Sequence, residues 1–265
     1  MNRTVLAVAA HPDDIEFLMS GTLMHLAKAG FQIHYWNLAN GCYGSDQLPP
    51  EEIASVRRLE AMESCQKLGA TFHESICDDL GIFYDQATLL RVSSVIRAVE
   101  PSIILTHSLP DYMEDHMNTA RLVVTGAFSR AMKFYPVEPP LPSTSQPLCL
   151  YHAQPYTNLT PLKKMVVPDL FVDTEDLIER KQELLACHKS QKDWLDVSQG
   201  VDSYLTALAA LDRSVGELSG RFSYAEGWRQ HLHMGFAGDE DNFLLDALSA
   251  VPSKPDSGSI VFYEE

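Results

Sequence analysis

The segment Thr4 to Ala10 is an unbroken run of mostly small and β-branched residues, and it stops abruptly on His11-Pro12-Asp13-Asp14. An apolar run without alternation reads as a strand buried on both faces, the kind found in parallel sheets covered by helices. The polar stop then sets a histidine and two carboxylates at the strand's carboxyl end. That one junction constrains both the fold and the place where chemistry can occur.

The rest of the pattern extends the same logic. Asp13 or Asp14 starts a helix through Phe17, Leu18, Met19, Leu23, Leu26 and Ala27, which ends near Gly30. Phe31 to Leu38 reads as a second strand, followed by a loop from Asn40 to Ser45 whose glycines permit tight turns. Pro49 and Pro50 open a helix to Leu68 that Gly69 closes. Thr88 to Val99 is an amphipathic helix and Ser102 to Thr106 another buried strand; Leu148 to Ala153 and Asp169 to Asp173 are later strands, and Thr174 to His188 a helix. This alternation predicts an α/β fold, a Rossmann-like doubly wound, mostly parallel sheet with helices on both faces. Ligands of such sheets sit in the crevice beyond the strands' carboxyl ends. His11 and His107 each follow a strand end, so the topology can bring them to one site.

At 265 residues with 45% hydrophobic content, the chain has room for one large core. We expect a single catalytic domain over residues 1–237, including a proline-rich excursion near 135–147, and a loose C-terminal arm over 238–265. The apolar run at the start is too short for a signal peptide, and no stretch reaches the roughly 18 apolar residues of a membrane span. A cytoplasmic protein without membrane insertion is expected. Five scattered cysteines lack paired metal-type spacing and read as reduced thiols. A formal charge of -16 argues against nucleic acid as a partner, which requires clustered Lys and Arg. A small neutral or cationic substrate fits better, and the pattern leaves a homo-oligomer open.

The chemistry concentrates in two clusters. Zinc takes imidazole nitrogen and carboxylate oxygen readily, and a catalytic zinc wants about three protein ligands, an open position for water and a separate carboxylate as base. His11, Asp13 and Asp14 supply two ligands and leave one carboxylate over. A third ligand must come from another strand-end loop. His107, Asp111, Asp115 and His116, packed into ten positions after a buried strand, are the source. There is no G-x-G-x-x-G, P-loop or G-x-S-x-G pattern, which sets aside dinucleotide binding, P-loop chemistry and nucleophile-elbow hydrolases.

Ala10-His11-Pro12-Asp13-Asp14, with Asp115-His116 about a hundred residues on, resembles the LmbE-like, or PIG-L, family of zinc-dependent N-acetylglucosaminyl deacetylases. The likeness extends to Arg57 and Glu60 on the helix ending at Leu68, and to Lys181, His188 and Gln191 in a late helix. The resemblance implies His11, Asp14 and His116 as ligands of Zn2+, or of another divalent metal. It implies Asp13 as the general base toward a zinc-held water, and Arg57 as a residue facing an N-acetyl sugar or glycoconjugate. Asp111 can bind a substrate hydroxyl or orient His107, and Asp115 can support a ligand imidazole or cap the following helix.

One departure stands out. The family's second motif looks like Asp-Tyr-His-Pro-Asp-His, whereas this chain reads Asp111-Tyr112-Met113-Glu114-Asp115-His116. Methionine cannot serve as a general acid. Either Asp13 returns its own proton to the leaving amine or another histidine stands in; His107, leaving the same strand, is the nearest candidate and is expected to be catalytic alongside Asp13. Three readings follow: N-deacetylation of a sugar, a sugar-binding homologue with lost or altered activity, and metal-dependent hydrolysis of another amide.

Overall fold

The computed structural model describes residues 2–193, 203–249 and 260–262. The first strand, β1 (Thr4–Ala9), is buried throughout. Its side chains alternate between two cores, with Val5, Ala7 and Ala9 in one and Leu6 and Val8 in the other. A strand that feeds two apolar layers must be apolar at every position, which is why the sequence shows a run and no alternation.

Among the described residues, eight strands form one sheet in the order β3-β2-β1-β4-β5-β7-β6-β8. These are β2 (Gln32–Asn37), β3 (Thr71–His73), β4 (Ile103–Thr106), β5 (Cys149–Ala153), β6 (Leu170–Asp173), β7 (Ala225–Gln230) and β8 (Ile260–Phe262). Strands β1 to β5 pair in parallel, and β7 and β8 are antiparallel to their neighbours. Chain order reverses between β1 and β4, so the crevice of this doubly wound sheet opens beside the residues following those two strands. His11 and His107 lie there.

Helices cover both faces. α1 (Asp14–Leu18), α2 (Ser20–Lys28), α3 (Pro50–Leu68), α6 (Ile178–Leu185), α7 (Ser203–Ser219) and α8 (Phe243–Ser249) pack on one side through Ile15, Leu23, Ala61, Leu184, Leu208 and Leu244. α4 (Gln86–Val99) and α5 (Glu114–Ser129) cover the other through Ile96 and Leu122. None of the described helices is long and apolar enough to cross a membrane.

Two expectations change, and the proline-rich excursion, which forms no helix or strand, is tied down. The helix expected from Asp13 to Gly30 is two helices, broken at Met19. The proline-rich excursion is anchored: Arg97 on α4 donates to the carbonyls of Leu141, Met132 and Tyr135, and Ser94 donates to that of Pro139. Where a loose arm from Gly238 was expected, Leu244 and Leu248 of α8 lie in the core and β8 pairs with β6; the remainder of that arm, 250–259 and 263–265, lies outside the described residues.

Candidate metal centre

His11 leaves the end of β1, and its two nitrogens have different partners. Nε2 faces Asp115 Oδ2 at 3.0 Å, while Nδ1 lies 3.5 Å from Asp14 Oδ2. A carboxylate can only accept, so Nε2 carries a proton, and in the neutral ring the Nδ1 lone pair is the one left for a metal. His116, on the first turn of α5, repeats the arrangement with its nitrogens exchanged. Its Nδ1 donates to Asp111 Oδ1 at 3.1 Å, and Nε2 lies 3.5 Å from Asp14 Oδ2. Two lone pairs and one carboxylate therefore converge within 4.8 Å of one another. Outer carboxylates that fix the tautomer of each imidazole are what a metal-binding histidine needs. A donor set of two nitrogens and one oxygen fits zinc. Burial works to raise the Asp14 carboxyl, but the neighbouring histidines, His116 first, hold it well below the ordinary carboxylate range.

Asp13 stands apart from this convergence. It precedes α1 at φ 101°, a left-handed conformation that costs a residue with a side chain on the order of 1–3 kcal/mol. Its surroundings hold it there. Arg57 Nη2 donates to the Pro12 carbonyl at 2.6 Å and reaches Asp13 Oδ2 at 3.4 Å, and the Tyr204 hydroxyl donates to the same Oδ2 at 2.6 Å. Burial raises the Asp13 carboxyl above its ordinary value; Arg57 opposes the rise and Asp14 adds to it.

Several expected roles are redistributed. Arg57 is 4% exposed and threads past Gly41 and Gly44, so it braces the Pro12-Asp13 turn from behind and does not line the cavity. Glu60, on the same helix, accepts from the backbone and hydroxyl of Ser190. Asp111 Oδ1 accepts from His116 Nδ1 and from the Met113 N–H, and its Oδ2 has no hydrogen-bond partner among the described residues. Asp115 caps nothing: the N-cap of α5 is Met113, and Asp115 accepts from His11 and from Leu80 N–H.

His107 changes most. It is fully buried, stacked on His116 with ring centroids 4.0 Å apart, and its Nε2 accepts the Ala10 N–H at 2.9 Å. The proton must then sit on Nδ1, which has no partner among the described residues and does not reach the cavity. Burial, helped by His116, holds it below the ordinary imidazole value. His107 Nε2 also lies 3.3 Å from Asp14 Oδ2, so this enclosed imidazole packs against both Asp14 and His116.

The cavity above this centre measures about 270 Å³, near the small end of ligand cavities at roughly 300–1,000 Å³. Asp13, Asp14 and His116 form its polar side, and Phe17, Tyr112, Tyr156 and Tyr204 its aromatic side. Phe17 meets Tyr204 and Tyr156 edge-on at 5.2 and 5.8 Å. Among the described residues, neither Lys nor Arg lines it. Tyr204 and Tyr156 carry no motif, and no pattern in the sequence singles them out.

Comparison with known proteins places this site in context. The family described as PIG-L, GlcNAc-PI de-N-acetylase, matches residues 6–127, which include both clusters. The chain is 27% identical over 243 residues to a diacetylchitobiose deacetylase of Thermococcus kodakarensis, covering 86% of this chain and 82% of the relative. It is 26% identical over 245 residues to a 4-oxalmesaconate hydratase of Pseudomonas putida, covering 85% and 88%. Among solved structures, the N,N'-diacetylchitobiose deacetylase of Pyrococcus horikoshii superimposes with a TM-score of 0.73 at 22% identity, covering 88% of this chain and 85% of the other.

Proposed function

The chain belongs to the PIG-L, or LmbE-like, family, and on that premise we propose that it is a zinc-dependent hydrolase removing the acetyl group from an N-acetylated sugar. The observation that carries the reading is the division of labour in His11-Pro12-Asp13-Asp14. Asp14 joins the two free imidazole lone pairs, while Asp13 is held outside that set against the cavity.

His11, Asp14 and His116 would hold the metal. A bound zinc supplies an acidified water and polarises the acetyl carbonyl. Asp13 takes the proton of the attacking water, a task suited to a carboxylate whose affinity for protons burial has raised. Phe17, Tyr112 and Tyr156 offer apolar faces to a sugar ring. The five cysteines are free, which supports a reducing, cytoplasmic setting.

A hydratase reading has a relative behind it but a less suitable cavity. A substrate such as 4-oxalmesaconate is a carboxylate anion, and the described lining offers it no Lys or Arg. A neutral N-acetyl sugar meets no such mismatch.

The test is Asp13→Asn in zinc-loaded protein. Acetate release from N-acetylated amino sugars should fall by about 10²–10⁴, the usual contribution of a positioned base, with one zinc per chain retained. Loss of zinc along with activity would place Asp13 among the ligands instead.

A further inference from the structure

We propose that Tyr204 is a positioning residue for the proton transfer, pinning one oxygen of Asp13 so that the other both takes and returns the proton. The inference rests on the deacetylase reading above and addresses the gap left by Met113. Tyr204 lies 191 residues from Asp13, in the first turn of α7. Its hydroxyl donates to Asp13 Oδ2 at 2.6 Å, and Arg57 reaches the same oxygen at 3.4 Å. Among the described residues no donor reaches Oδ1. The ring is 3% exposed and held edge-on against Phe17.

With Oδ2 held from two sides, the carboxylate plane is fixed and Oδ1 is the reacting oxygen. Asp13 Oδ1 removes one proton from water, and the water oxygen bonds to the acetyl carbonyl carbon. When the carbon–nitrogen bond breaks, its electron pair goes to nitrogen, which takes the proton back from Oδ1. The products are acetic acid, which ionises, and the free amine, and Asp13 ends as it began. No histidine is then needed at Met113. His107, enclosed and committed to the Ala10 N–H, does not substitute for it.

The test compares zinc-loaded wild type, Tyr204→Phe and Asp13→Asn. A tyrosine hydroxyl bonded to a buried carboxylate gives a downfield, slowly exchanging proton resonance. That signal should vanish in Tyr204→Phe and move upfield in Asp13→Asn. On any acetylated amino sugar the wild type turns over, Tyr204→Phe should lower kcat by about 10–100-fold, the scale of a misplaced catalytic group. KM should stay within about twofold, and zinc content and thermal midpoint should match wild type. Unchanged kcat, or a hydroxyl resonance indifferent to Asp13→Asn, would overturn the proposal. If the wild type itself releases no acetate, the deacetylase reading fails separately, and the resonance still decides whether Tyr204 holds Asp13.

Discussion

At the scale of single residues, the centre is defined by which nitrogen of each histidine is left free. Asp115 takes the Nε2 proton of His11 and Asp111 takes the Nδ1 proton of His116, so both open lone pairs face Asp14. Asp111 is 1% exposed and does not line the cavity above the centre, yet it should matter for metal affinity. Asp111→Ala leaves the His116 Nδ1–H without its acceptor. Zinc affinity should drop about 10–100-fold, the usual effect of losing such a support, as measured by competition with a chromophoric chelator. The sequence concentrates His11, Asp13, Asp14 and His116 at strand ends, and the fold gathers the first, third and fourth within 4.8 Å with Asp13 on the adjoining cavity. The sequence could not show which carboxylate serves which histidine. Asp111 and Asp115 are four residues apart on a loop and the helix after it, and only the fold directs one to His116 and the other to His11.

At the scale of elements, the site is braced from below by a buried ionic cluster. Lys181 on α6 is fully buried; its Nζ donates to Asp212 Oδ2 on α7 at 2.7 Å and to Glu226 Oε1 on β7 at 2.6 Å. Glu226 in turn accepts the N–H groups of Gly21 and Thr22, where the positive end of the α2 dipole favours an anion. Lys181 also reaches the Phe17 carbonyl of α1 at 3.4 Å. Replacing Lys181 with Met strands two buried carboxylates, and should cost on the order of 3–5 kcal/mol in chemical denaturation. In the sequence Lys181 is marked only by the family likeness of a late helix, and its partners lie on elements without any motif. Strand and helix alternation is legible in the first half because each element carries its own apolar period and capping signals. Strand β7, reading Ala-Glu-Gly-Trp-Arg-Gln, has no such period, since its Glu226 is buried for charge and its Trp228 for packing. Tyr204 was illegible for the same reason: α7 and the centre meet only in the folded chain.

At the scale of the whole molecule, the two faces of the sheet bury imidazoles as well as apolar groups, and this gives the fold a defined response to acid. Burial pushes His152 down to about 3 and His73 down to about 4. Both stay neutral in the folded chain while the unfolded chain, with imidazoles near 6.5, takes up protons. The stability they contribute is therefore fully present above about pH 6.5 and is lost as pH falls from there toward about 3. Thermal midpoints measured across this window should decline, and His152→Asn, which keeps a donor for the His107 carbonyl, should flatten the decline. The central claim concerns the metal and the amide bond together. The most direct measurement is acetate release from a panel of N-acetylated amino sugars by the protein as purified, after chelation, and after zinc is restored. Acetate and free amine should appear in equal amounts, abolished by chelation and recovered with about one zinc per chain. Full turnover by the metal-free protein, or no acetate from any of the sugars with zinc bound, would contradict it.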